Sequence, residues 1–151
     1  MDLFAELSAL LAQMQQRQVD YAICGGIALA VHGVPRATQD IDLLIPEAFL
    51  PALRESARAA GFVFETEPLA FGSGVTIVRF TKILADGQPL MLDALLAEGA
   101  LLRIWEGRQT LDFEGGTVVV VSREGLISLK LAAGRPQDVS DVQRLSEVSR
   151  G

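Results

Sequence analysis

The sequence predicts an α+β fold, a mixed β-sheet with helices packed mainly on one face. Three observations carry this. Apolar residues recur at helical spacing in several segments. Two turn signals, Ala85-Asp86-Gly87 and Gly115-Gly116, each separate strand-like runs and mark hairpins. Strands and helices are mixed without a regular βαβ alternation, which argues against a parallel barrel. The 151 residues suit a single domain, 1–151, long enough to bury a core.

Leu3, Leu7, Leu10, Leu11 and Met14 place one apolar stripe on a first helix that ends in the polar run Gln15–Gln18. Val19–Cys24 reads as a strand, broken by Gly25-Gly26, and Ile27–His32 reads as a short helix. A loop from Gly33 to Gln39 leads into a strand over Asp40–Ile45, closed by Pro46. A helix follows over Glu47–Ala60, stopped by Gly61, then a short strand over Phe62–Glu65 and a loop over Thr66–Gly74. Val75–Leu84 and Pro89–Leu95 form the first predicted hairpin; Thr110–Phe113 and Thr117–Val121 form the second. Leu101–Gly107 is a short helix between them. Ser122 is placed to cap a helix over Arg123–Ala133, and Pro136 starts a last helix that runs to about Val148.

Composition narrows the function. Half the residues are hydrophobic, so the chain is a folded globule. No apolar run reaches the roughly 20 residues of a membrane helix; Asp93 and Glu98 interrupt the longest candidate, Leu90–Leu102. The N-terminus lacks a basic start followed by an apolar stretch, so no signal peptide is expected. Cys24 is the only cysteine, no internal disulfide can form, and the cytoplasm is the expected compartment. Its setting after Tyr21, Ala22 and Ile23 suits a buried packing thiol better than a nucleophile. The net charge of −6 disfavours tight nonspecific binding to nucleic acid. The pairs Arg54/Arg58 and Arg103/Arg108 read as solvated surface charges.

The segment GGIALAVHGVPRATQDIDLLI, residues 25–45, carries the chemistry. Asp40 and Asp42 flank Ile41 on a predicted strand, so both carboxylates point to one face, while Ile41, Leu43 and Ile45 point to a core. Two carboxylates on one face repel each other, and a divalent cation relieves that cost; oxygen-only ligands favour Mg²⁺ or Mn²⁺ over Zn²⁺. Asp-x-Asp alone is equally a pair of surface acids at a strand edge. Gly25-Gly26, between strand and helix, lets a phosphate approach backbone N–H groups, although an ordinary tight turn needs the same residues. Arg36 and Thr38, just ahead of the acids, are placed to contact a phosphate or fix the loop.

Together, Gly25-Gly26, Ala28, His32-Gly33, Arg36, Thr38 and Asp40-x-Asp42 resemble the nucleotidyltransferase superfamily, and most of all the bacterial and archaeal branch that includes AbiEii-like toxin proteins. The superfamily's turn is usually Gly-Ser; here, as often in that branch, it is Gly-Gly, and the serine hydroxyl is absent. The resemblance spans most of the chain and is specific in residues 25–43. It implies a third carboxylate on a neighbouring strand. Asp93, an acid in the apolar run LMLDALL where an unpaired charge is costly, is the best match; Asp86 competes but sits in a predicted turn. In such a trio the third acid binds a second ion or accepts a proton. The segment LISLKLAAGRPQDVSDVQRL also resembles the branch, with Lys130, Arg135, Asp138 and Asp141 at recurring positions. Lys130 is expected to reach the triphosphate, and Asp138 and Asp141 to form salt bridges to Arg135 or Lys130. The one histidine, His32, is expected to fix the Arg36 loop, and the one tryptophan, Trp105, to pack in the core.

What the resemblance implies is a metal-dependent nucleotidyltransferase that moves an NMP group from an NTP to an acceptor hydroxyl on RNA, protein or a small molecule. Asp40, Asp42 and Asp93 would hold Mg²⁺ or Mn²⁺; Gly25, Gly26, Arg36, Thr38 and Lys130 would bind the nucleotide. The competing expectations are a non-catalytic nucleotide-binding module and one half of a toxin–antitoxin pair acting through a protein partner. A homodimer is a further expectation on the partner side.

Overall fold

The computed structural model describes residues 1–35, 37–70 and 74–148. Among these are six α-helices and an eight-stranded mixed sheet. The order along the chain is α1 (Leu3–Gln16), β1 (Ala22–Cys24), α2 (Gly25–Val31), β2 (Ile41–Ile45), α3 (Leu50–Ala59), β3 (Phe64–Glu65), β4 (Leu69–Ala70), β5 (Thr76–Ile83), β6 (Pro89–Leu96), α4 (Leu101–Glu106), β7 (Gln109–Phe113), β8 (Gly116–Val120), α5 (Arg123–Ala133) and α6 (Pro136–Val148). The α+β class predicted from the hairpins is the class observed.

Local chemistry sets several boundaries. Asp2 caps α1 by accepting from the Ala5 N–H at 3.1 Å, and Leu3, Leu7, Leu10 and Met14 are the stripe it buries. Fully burying a side chain such as Leu10 stabilises by about 1.5–3 kcal/mol. Ser122 caps α5 by accepting from Gly125 N–H at 3.0 Å, at the position the sequence marks. The expected helix from Glu47 begins instead as one turn of 3-10 helix, Glu47–Phe49, before α3 takes over with Pro51 in its first turn. Pro51 has no N–H to donate, so it suits a first turn. Within the expected loop from Thr66 to Gly74, Leu69–Ala70 form a two-residue strand on β5.

The sheet order is β3-β5-β6-β2-β1-β8-β7, with β4 also paired to β5. β5 and β6 are the first predicted hairpin, β7 and β8 the second, both antiparallel. The long-range pairings were not predictable from local pattern: β2 lies antiparallel to β1 and parallel to β6, and β1 lies parallel to β8. Residues of β2, β5 and β6 alternate between two faces. Ile41, Leu43, Ile45, Val78, Phe80, Leu92 and Ala94 share the buried face. Lys82, of the same parity, reaches Glu6 of α1 at 2.8 Å and the Ala60 carbonyl beyond α3 at 3.0 Å, so α1 and α3 cover that side. The opposite face carries Asp42, Arg79 and Asp93 and is bordered by α5. Among the described residues, no helix is long and apolar enough to cross a membrane.

Candidate functional site

The register brings the acids together. Asp42 on β2 lies directly opposite Asp93 on β6, and Arg79 on β5 lies directly opposite Asp93 from the other side. Three polar residues therefore stand in a row across three adjacent strands. They open into a cavity of about 540 Å³, also lined by Cys24, Gly25, Ile77, Leu95, Lys130 and Arg135 among others. Asp40 precedes β2, half-buried, close enough to interact electrostatically with Asp42, Asp93 and Arg79.

Burial and crowding set the electrostatics. Burial first, then the charges of Asp93 and Asp40, push the Asp42 carboxyl up to about 7, against the opposing pull of Lys130 and Arg135. Burial and Asp93 also raise Asp40, with Arg79 working the other way. Asp93 is not an isolated charge, as an acid in an apolar strand suggested. Arg79 grips it with two hydrogen bonds, Nε to Oδ1 at 2.8 Å and Nη2 to Oδ2 at 3.0 Å. The sequence reading missed Arg79 because its partner lies on another strand. Only the β5–β6 register, which the hairpin turn sets, could have revealed it. Among the described residues, no three His, Cys, Asp or Glu side chains already stand as a closed ligand set for a metal.

The two glycines are the first turn of α2 and not a turn ahead of it. Gly25 has φ +68°, and a Cβ there would overlap the Asp42 carboxylate, lying 2.8 Å from its Cγ. Asp42 thus packs onto bare backbone. Gly26 is buried under Thr38; a Cβ would stand 2.6 Å from Thr38 Oγ1 and 2.8 Å from its Cβ. Gly25→Ala is therefore expected to cost about 2 kcal/mol or more, from the left-handed φ together with the overlap. Urea unfolding measures this; an alanine variant as stable as the parent would mean that Asp42 does not rest on Gly25.

Lys130 lines the cavity but is held by two acids, Asp141 at 3.1 Å and Asp138 at 3.4 Å. Arg135 also holds Asp138, through Nε at 2.7 Å, Nη2 at 3.2 Å and its backbone N–H at 3.1 Å. The salt bridges expected for Asp138 and Asp141 are thus present. The ring Nε2 of His32 makes a hydrogen bond across the fold. That nitrogen donates to the Val121 carbonyl at 2.8 Å, since a carbonyl can only accept, and ties the end of α2 to the end of β8. Arg36, expected to bind phosphate, lies outside the described residues. Cys24 is buried, as expected of a packing thiol, and burial followed by the Asp42 charge raises its pKa well above the ordinary value. Trp105 is half-buried against the core, with the Arg108 guanidinium 3.9 Å from its ring centre. Arg54 of the first basic pair is held by Glu65, Nε to Oε1 at 2.7 Å.

A family model described as "Nucleotidyl transferase AbiEii toxin, Type IV TA system" matches residues 9–150. The chain belongs to the AbiEii nucleotidyl transferase family. No curated protein matches this AbiEii-family chain in sequence. Among solved structures it resembles the antibiotic-resistance factor ANT(2'')-Ia in solution, with TM-score 0.71 and 20% identity over 100% of this chain and 86% of that one. It also resembles ANT(2'')-Ia in complex with adenylyl-2''-tobramycin, with TM-score 0.68 and 18% identity over 100% and 91% of the two chains. The lincosamide antibiotic adenylyltransferase LnuA, lincomycin-bound, gives TM-score 0.60 and 15% identity over 95% and 96%. At these identities the likeness is one of fold, and it places the AbiEii-family chain in the nucleotidyltransferase-like fold.

Proposed function

We propose that this chain transfers an NMP group from an NTP to an acceptor hydroxyl, releasing pyrophosphate, with Asp40, Asp42 and Asp93 as the acid trio. The observation that carries this reading is the pairing of Asp42 and Asp93 in register on adjacent strands, facing one cavity, in a chain of this family. The donor chemistry fits a hard divalent cation, Mg²⁺ or Mn²⁺. All three donors are carboxylates, and the crowding that pushes Asp42 up to about 7 is relieved by a cation among them. Such an ion, when bound, would neutralise phosphate charge and activate the acceptor oxygen.

The residues of the chain position the rest. The acceptor oxygen attacks the α-phosphorus, the bond to the bridging oxygen of the β-phosphate breaks, and the hydroxyl proton passes to a carboxylate of the trio. Gly25, whose missing side chain makes room for the Asp42 carboxylate, sets that acid at the start of α2; Thr38 fixes Gly26 behind it. Lys130 and Arg135 add positive charge at the cavity wall, and Arg36 is a further candidate for the phosphates. The reaction is one of positioning and charge stabilisation, within a single domain and in the cytoplasm, where NTPs are available. The family's description as a toxin of a type IV system favours a second, compatible reading, that the chain works as one half of a toxin–antitoxin pair.

The test is incubation with each α-labelled NTP, Mg²⁺ and cell extract, beside Asp42→Asn. Label is expected on one acceptor class with the parent chain and at least about 10³-fold less with the variant. Equal labelling by both would remove Asp42 from the chemistry. No labelling with any NTP, from a chain that is folded, would leave a non-catalytic module.

A further inference from the structure

We propose that Arg79 is a built-in counter-cation that a divalent ion displaces from Asp93, and that the freed guanidinium then takes a phosphate of the nucleotide. This rests on the reading of the acid trio as a cation site. Arg79 occupies both oxygens of Asp93, at 2.8 and 3.0 Å, in the fork-to-fork geometry that a guanidinium makes with a carboxylate. A cation approaching Asp93 must therefore compete with it. The pair is unequal in exposure: the Asp93 side chain is 12% exposed and that of Arg79 is 40%. The acid is held in the sheet, while the arginine, which also lines the cavity, is the more exposed partner.

The other cations at the cavity wall are more firmly committed to structure. Lys130 is 7% exposed and lies between Asp138 and Asp141, and Arg135 closes three hydrogen bonds onto Asp138. Among the described residues, the Arg79 guanidinium hydrogen-bonds to the acid whose partner is to change. A divalent ion on Asp93 neutralises the carboxylate and repels the guanidinium, which is released on the same face of the sheet. The guanidinium matches phosphate as well as it matches carboxylate. Metal would then prepare the nucleotide site, and nucleotide would repay the cost of displacing Arg79, so the two ligands are coupled reciprocally.

The experiment is calorimetric titration of the whole chain, parent, Arg79→Gln, Arg79→Lys and Asp42→Asn, with Mn²⁺ alone. The four α,β-methylene nucleoside triphosphates, which cannot be cleaved at the α-phosphorus, are then titrated at saturating Mn²⁺. Arg79→Gln is expected to bind Mn²⁺ about tenfold tighter than the parent, and to bind the preferred analogue about tenfold weaker. A merely structural arginine would not move the two affinities in opposite directions. Arg79→Lys keeps a point charge without the fork and should fall between; it carries the test if Arg79→Gln, by leaving Asp93 unpaired, does not fold. Mn²⁺ affinity unchanged or weakened in both Arg79 variants, while Asp42→Asn abolishes it, overturns the proposal alone. Mn²⁺ binding to Asp42→Asn as tight as to the parent overturns the acid-trio reading, and the proposal with it.

Discussion

Replacing Lys130 with alanine is expected to destabilise the ligand-free protein by about 3–5 kcal/mol, the usual cost of removing one partner from a buried charge cluster. Lys130 is nearly enclosed, and the side chains facing it are more so: Asp138 is 1% exposed and Asp141 is 4%. Without the ammonium, two buried carboxylates lose the cation they share, while the Arg135 ion pair with Asp138 remains. Asp138 tolerates this better. Burial works to raise it, yet hydrogen bonds from Arg135 and the charges of Arg135 and Lys130 outweigh burial and hold it below the ordinary carboxylate value. Asp141 loses the ammonium 3.1 Å away. The double change Lys130→Met with Asp141→Asn removes the charge together with its partner and should recover at least about half of the loss. Denaturant unfolding of the single and double variants measures both. A single variant within about 0.5 kcal/mol of the parent would show that the cluster contributes nothing to stability.

In metal-free solution, Asp42→Asn is expected to be the more stable protein at pH 8, by on the order of 3 kcal/mol. The sign follows from the raised pKa. Below about pH 4 the carboxyl is protonated folded and unfolded alike, and it has no effect. Between about 4 and 7 the unfolded chain has released the proton while the folded chain still holds it, so stability falls as pH rises. Above about 7 the folded protein carries the buried, crowded charge and the loss is complete. Asparagine stays neutral throughout and flattens this part of the curve. Chelator-treated parent and variant, unfolded in urea at pH 5 and pH 8, should differ far more at the higher pH. Parallel curves for the two would mean that Asp42 is not crowded.

What could be read from the sequence is what is decided locally. Ser122 marks α5 because a cap acts within one turn, and it does so in the structure. The parity of Asp42 against Ile41 and Leu43 is a property of one strand, and so is that of Asp93 against Leu92 and Ala94. The paired runs around Asp86-Gly87 and Gly115 announce two hairpins because each turn sits between its own strands. Three things escaped. Leu69–Ala70 is too short to show a period, and becomes a strand only because β5 offers an edge. The Gly25-Gly26 break reads as a turn, whereas packing against Asp42 and Thr38 draws both residues into α2. Arg79 looks like any alternating polar residue on a strand until β6 is laid beside it. The family resemblance singled out the three acids; it did not show that Asp93 is paired with Arg79.

Asp93 sits between Leu92 and Ala94, both without solvent exposure, in a strand bonded on both sides. A slip of one residue in β6 would turn Asp93 into the hydrophobic interior and push those two apolar residues out into the cavity. Correct alignment of the acids and completion of the core are consequently a single event. A mispaired β6 yields no well-folded protein with a defective site, because the same error ruins the packing. On the proposed reading of the acids, a lineage that loses the chemistry while keeping this sheet does so by exchanging side chains such as Asp42 or Asp93, leaving the scaffold intact. Inactive descendants should then be recognisable as normally folded chains with neutral residues at those two positions.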